Sequence, residues 1–172
     1  MSKDNHINES SQQFIIFQLA NETMGIPIGL VREVINLKSF VLSRIPGSPT
    51  FCSGVINLRG QVIPIIDARK RYNFGLDLPL ENDPKAIILE NNKEQFGLMV
   101  DEVEEVADIP PEAIESAPGH MSSGLDRDRK IGRISGKNSN QKERFVFLLS
   151  RESLFNDTGA TSTISSLNIA NS

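Results

Sequence analysis

Tryptophan is absent, and among 172 residues there are one tyrosine, one cysteine and two histidines. Each scarcity excludes a class of chemistry. Cys52 has no partner for an internal disulfide, and among apolar neighbours it reads as a small packing residue. His6 and His120, the latter in the loop APGHMSSG, have no second histidine or cysteine at metal-ligand spacing, which argues against zinc. The phosphate-cradling patterns Gly-x-x-x-x-Gly-Lys and Gly-x-Gly-x-x-Gly and the Gly-x-Ser-x-Gly elbow do not occur. No enzyme and no cofactor are expected. Apolar runs such as FIIF at 14–17 fall far short of the ~20 residues a membrane-spanning helix needs, and the first dozen residues have no signal-peptide core. A cytoplasmic protein without membrane insertion is expected. Single-stranded nucleic acid calls for basic grooves with stacking aromatics, a poor match to a net charge of −4 and no tryptophan.

What is present suits one domain of ordinary apolar content, 38% of residues. Residues 1–13 and 156–172 are rich in Ser, Asn and Thr with little apolar periodicity, and are expected to be disordered tails around a domain at 14–155. Charge divides unevenly along the chain, +4 over residues 14–75 and −6 over 76–156. Two solvated faces, or two different partners for the two halves, both fit that division.

An internal repeat organises the domain. A shift of 72 residues lays FIIFQLANETMGIPIGLVREVIN (14–36) over AIILENNKEQFGLMVDEVEEVAD (86–108), with seven identities in 23 positions, among them Gly25/Gly97, Val31/Val103, Glu33/Glu105 and Val34/Val106. Each copy reads as strand, hairpin loop, strand. Pro27 marks a sheet edge or the end of pairing. The following VREVI and VEEVA place valines three apart, which fits either one helical turn or a bulged strand. GVINLRGQVIPIID (54–67) reads as a hairpin with Gly60 supplying a positive φ at its tip. Asp67 then caps a short helix to about Tyr72 with Arg69, Lys70 and Arg71 outward, and Ser150 caps a last turn through Phe155. The run DEVEE at 101–105 lacks the alternation and glycine of a calcium loop and reads as a solvated face. Ten or so short strands in two sets predict an all-β protein of two small barrels packed on one another.

From about Phe14 to Phe155 the chain closely resembles the CheW-like family of bacterial chemotaxis, most specifically at Asn57-Leu58-Arg59-Gly60 between two apolar strands. The resemblance implies two SH3-like five-stranded barrels around a shared hydrophobic core and a non-catalytic adaptor. It implies as partners the regulatory domain of the histidine kinase CheA and the cytoplasmic tips of transmembrane chemoreceptors, in arrays at the inner membrane. A paralogue serving another chemosensory pathway, or competing with the main coupler, is the alternative. By position, the partner-binding region corresponds to Val31, Glu33, Val34, Gly54, Arg59 and Val100. The three valines equally suit core packing. Arg59 is not needed for the turn that Gly60 makes, and it is expected to pair with Glu33 at the surface.

Overall fold

Four consecutive apolar residues, FIIF at 14–17 and AIIL at 86–89, do not suit a strand with one wet face; they suit one covered on both sides. In a computed structural model, which describes residues 11–79, 83–92, 94–118, 129–138, 140 and 142–155, both runs are strands buried in that way. The strands in chain order are β1 (Gln12–Leu19), β2 (Glu22–Pro27), β3 (Val31–Asn36), β4 (Cys52–Leu58), β5 (Gln61–Asp67), β6 (Lys85–Asn91), β7 (Glu94–Val100), β8 (Glu102–Ile109), β9 (Ile114–Ser116), β10 (Lys130–Ser135) and β11 (Glu143–Leu148). Two five-residue helices, α1 (Ala68–Tyr72) and α2 (Arg151–Phe155), follow β5 and β11. The first strand thus begins at Gln12, inside the segment read as a tail; residues 1–10 and 156–172, with His6, lie outside the described residues, as does His120.

The strands form two sheets, β8-β1-β2-β11-β10-β9 and β3-β6-β7-β5-β4. Apart from the short β9, the two correspond strand for strand under the sequence repeat: β8 with β3, β1 with β6, β2 with β7, β11 with β5 and β10 with β4. Each barrel therefore takes its hairpin from one copy of the repeat and its other strands from the other copy. The charge division along the chain consequently does not separate one barrel from the other.

On β1, Ile15, Phe17 and Leu19 enter a core shared by both barrels, while Phe14 and Ile16 fill the interior of their own. On β6, Ile87 and Leu89 take the shared side and Ala86 and Ile88 the interior. Phe96 of β7 and Phe155 of α2 meet edge to face within the shared core, with ring centroids 5.2 Å apart. Burying a large apolar side chain is worth about 1.5–3 kcal/mol, so these fully covered residues dominate the stability of both barrels at once.

The β-hairpins turn as expected. Arg59 and Gly60 both have positive φ, 52° and 84°, the signature of a type I′ turn, and Asn57 Oδ1 accepts the Gly60 N–H at 2.8 Å. Pro27 is the last residue of β2, where pairing stops. Asp67 accepts the N–H groups of Arg69 and Lys70 at the start of α1, and Ser150 Oγ accepts that of Ser153 in α2.

Two readings require correction. Arg69 and Arg71 do not point outward: they are 4% and 8% exposed. Arg69 donates Nε and Nη2 to the Asp101 carboxylate, and its remaining N–H groups to the carbonyls of Gly75, Leu78 and Pro79. Arg71 donates to the carbonyls of Ser153 and Leu154 in α2 and lies over the Tyr72 and Phe96 rings. Nor is 101–105 simply a solvated face. Asp101 also accepts the N–H of Ala20, whose φ of 54° is unusual for a non-glycine residue, and Glu104 is nearly buried among cations. A helix too short to bury an amphipathic face thus holds its place by arginine contacts with both copies.

Removing one partner of a buried ion pair strands the other charge, at a cost of about 3–5 kcal/mol. Asp101→Ala should lower unfolding stability by about that amount in urea titration, while Glu102→Ala at the exposed neighbour should change it by less than about 0.5 kcal/mol. Equal effects from the two would show that the pair does not fasten the fold.

Candidate functional site

The valines three residues apart share a face because the strand bulges. In the β3–β6 pairing Val31 opposes Leu89 and Glu33 opposes Ile88, so Arg32 is the extra residue. Val31 and Val34 then lie with Leu89 and Ile87 on the shared-core side, and Glu33 and Ile35 turn to the barrel side. The bulge is repeated on β8, where Phe17 opposes Val103 and Ile16 opposes Glu105, leaving Glu104 as the extra residue. Both bulged side chains are anchored to β1 or β6: Arg32 donates to Glu90 at 3.0 Å, and Glu104 accepts from Gln18.

Glu33 meets the tip of the β4–β5 hairpin. Arg59 donates Nη1 and Nη2 to the two Glu33 oxygens at 2.5 and 2.8 Å, a bidentate pair with the arginine side chain 70% exposed. The Arg59 hydrogen bond, ahead of an opposing desolvation effect, holds the Glu33 carboxyl below its ordinary value. Val34 beside it is 38% exposed and Val62, two residues past the turn, 46%. Val31 is half-buried against the shared core.

Gly54 and Val100 occupy different positions from these. Val100 is 1% exposed within the shared core and has no surface to offer a partner, so packing accounts for it. Gly54 is buried at φ 141°, and a Cβ there would stand 2.5 Å from the carbonyl oxygen of Ser43, which bridges to Val55. Its lack of a side chain lets the Ser43 backbone approach β4. The structure therefore pairs Glu33 with Arg59 on the barrel side of β3 and sets Val31 and Val34 on its shared-core side, while Gly54 is buried in β4.

Residue-by-residue transfer missed the equivalent rim on the other barrel. There Arg144 donates to Glu105 and contacts Glu104, each at 2.7 Å, Lys137 donates to Glu104 at 2.7 Å, and Val106 and Phe145 are 51% and 62% exposed. Burial acts most strongly on the Glu104 carboxyl and raises it, but hydrogen bonds from Lys137, Gln18 and Arg144 together outweigh burial and leave it below its ordinary value. The signal was available: Glu33/Glu105 and Val34/Val106 are identities of the repeat.

Two interlocked β-barrels, each with apolar side chains left open beside an oriented ion pair, define a tandem SH3-like protein of the binding class. A model of the CheW-like domain matches residues 13–159, and the chain belongs to that family of non-catalytic chemotaxis scaffolds. It is similar to the chemotaxis protein CheW of Helicobacter pylori, 30% identical over 86% of this chain and 83% of that one. A probable chemotaxis protein CheW of Rhizobium etli is 30% identical over 88% and 92%. Among solved structures, the scaffolding protein TtCheW of Thermoanaerobacter tengcongensis superposes with a TM-score of 0.68 at 32% identity, covering 87% of this chain and 95% of that one.

Two measurements check this geometry. Gly54→Ala should cost at least about 1–3 kcal/mol from its φ alone and lower the melting temperature; an unchanged melting temperature would contradict the close approach to Ser43. A carboxylate with a depressed pKa contributes its stabilisation above the unfolded value and loses it only as pH falls through the lower folded value. The Glu33 carboxyl should accordingly titrate below 4.5 by carbon-detected NMR, and its midpoint should rise in Arg59→Ala.

Proposed function

We propose that the chain couples the cytoplasmic tips of chemoreceptors to the regulatory domain of the histidine kinase CheA, within arrays at the inner membrane, so that receptor state controls kinase activity. The reading rests chiefly on the Arg59–Glu33 pair. An exposed pair of this kind contributes only about 0–1 kcal/mol to folding, so fixing a guanidinium at a hairpin tip serves a shape presented outward. Val34 and Val62 of the same barrel add exposed apolar area, and the named relatives are proteins of chemotaxis. Val31 and Val34, on the shared-core side of β3, offer apolar contact to a helical receptor tip. Among the described residues no helix is long and apolar enough to cross a membrane, in keeping with attachment through receptors.

Arg59→Glu places two carboxylates where a bidentate pair stood, without touching the core. The variant should keep its melting temperature within a few degrees and bind the purified CheA regulatory domain at least about tenfold more weakly in calorimetry, a change of roughly 1.4 kcal/mol. Reconstitution with receptor and kinase should then show reduced receptor-stimulated autophosphorylation. Wild-type affinity for the kinase domain would reject the assignment, and strong binding without stimulation would indicate a competitor in place of a coupler.

A further inference from the structure

The bulged position of β3 and its counterpart on β8 have the same local frame and opposite charge. Arg32 reaches Glu90 of β6, Glu104 reaches Gln18 of β1, and Glu90 and Gln18 correspond under the shift of 72 residues. Each is steadied in turn by the residue facing it across its hairpin. Gln18 donates to Thr23 at 2.9 Å, and hydrogen bonding from Gln95, then from Arg32, holds the Glu90 carboxyl below its ordinary value. A bulge of this form is thus built with a glutamate as readily as with an arginine. The fold does not require a positive charge at position 32.

The surroundings of the two positions differ. Glu104 is closed in, its side chain 5% exposed beneath Arg144 and Lys137. Arg32 is open: its side chain is 50% exposed, and among the described residues its guanidinium donates only from Nη1, to Glu90 at 3.0 Å. Such a pair adds little to folding. Glu33, next in the chain, is paired with Arg59, and in both pairs the carboxylate lies deeper than the cation: Glu33 is 23% exposed against 70% for Arg59, and Glu90 36% against 50% for Arg32. Four charges that sum to zero therefore turn their positive ends to solvent. An arginine fork satisfied at one nitrogen and open at the others can take a further carboxylate through two hydrogen bonds.

We infer that Arg32 is a specificity-determining residue of the Glu33–Arg59 rim, where Glu90 holds one side of its guanidinium and the open side takes a carboxylate of the kinase's regulatory domain. This role rests on the reading of that rim as the kinase-binding surface, and adds the chemistry of a group met there, an acidic side chain. On the other barrel the corresponding glutamate is covered and has no such contact to offer. The two rims, alike in frame, select differently.

The test is calorimetry of the full chain with the purified CheA regulatory domain. Arg32→Ala should weaken binding at least about fivefold at low salt. Arg32→Glu should weaken it further, and both variants should melt within a few degrees of the wild type. The loss should shrink as salt rises from about 50 to about 500 mM, because exposed charges are screened. Glu90→Ala separates recognition from support: it removes the same intramolecular pair but keeps the guanidinium, and affinity should stay within about threefold of the wild type. Equal losses from Arg32→Ala and Glu90→Ala would show that Arg32 only props the bulge, and would overturn its assignment. Wild-type affinity in Arg32→Glu would do the same, while weak binding by Arg59→Glu would leave the kinase-binding reading of the rim standing. Absence of binding by the wild-type chain would reject that reading, and the role of Arg32 with it.

Discussion

Double-sided burial of β1 and β6 is the constraint on which the rest of the structure depends. A strand with Phe14 and Ile16 on one side and Ile15, Phe17 and Leu19 on the other needs two cores, and a five- or six-stranded barrel supplies one. The second must come from a neighbouring barrel whose own central hairpin has the same requirement. The exchange of strands between copies satisfies both at once: β8 flanks β1 and β3 flanks β6, so the barrels cannot separate without breaking sheets. Because the hairpins sit at the middle of both arrangements, stability and the relative orientation of the barrels come from the same contacts.

Polar chemistry is then confined to what apolar packing leaves undefined. The bulges at Arg32 and Glu104 change which side of the strand each residue faces, so that valines three apart share the shared-core side while the intervening glutamate closes the barrel. Arg59 and Arg144 each reach a glutamate from the opposite side of their barrel. The exposed Arg59–Glu33 pair adds little to folding, whereas the inward Arg69–Asp101 pair, 5% and 13% exposed, and the Arg144–Glu104 pair, 11% and 5%, carry the desolvation that makes their loss expensive. Burial, more than the type of residue, separates the arginine that holds the fold from the arginine that shapes its surface.

Patterns short enough to act locally were legible in the sequence. The apolar runs on either side of Arg59-Gly60, the caps at Asp67 and Ser150, and the hairpins of the repeat all depend on neighbours a few residues away, and they appear where the sequence places them. The repeat also carried the fold class, because two similar sets of short strands, each too small to close a good core alone, must pack on one another. The spacing of Val31 and Val34 left a helical turn and a bulge equally open, since both put residues three apart on one side. What it could not carry was partnership across distance. Arg69 and Arg71 in a short helix look like solvated charge until Asp101 and the carbonyls of α2 arrive from the other copy. Val100 reads as groove or core equally well, because its burial depends on which strands of the other copy cover it.

Duplication also explains why the molecule is asymmetric where it is. Positions packed inside each barrel are locked together, and there the copies keep Gly25 and Gly97, which sit where parallel strands run close; a Cβ at Gly97 would stand 2.6 Å from an Ile65 side-chain carbon. Positions outside the core are under no such restraint. At Asp101 and Gly29 the copies have diverged completely, and a Cβ at Gly29 would meet nothing within 4 Å. Space left open at one end of a repeat whose other end is closed by an ion pair is a direct consequence of that freedom. A symmetric core therefore constrains how the barrels sit together, while the unmatched ends allow the two sides of the molecule to present different chemistry to what they bind.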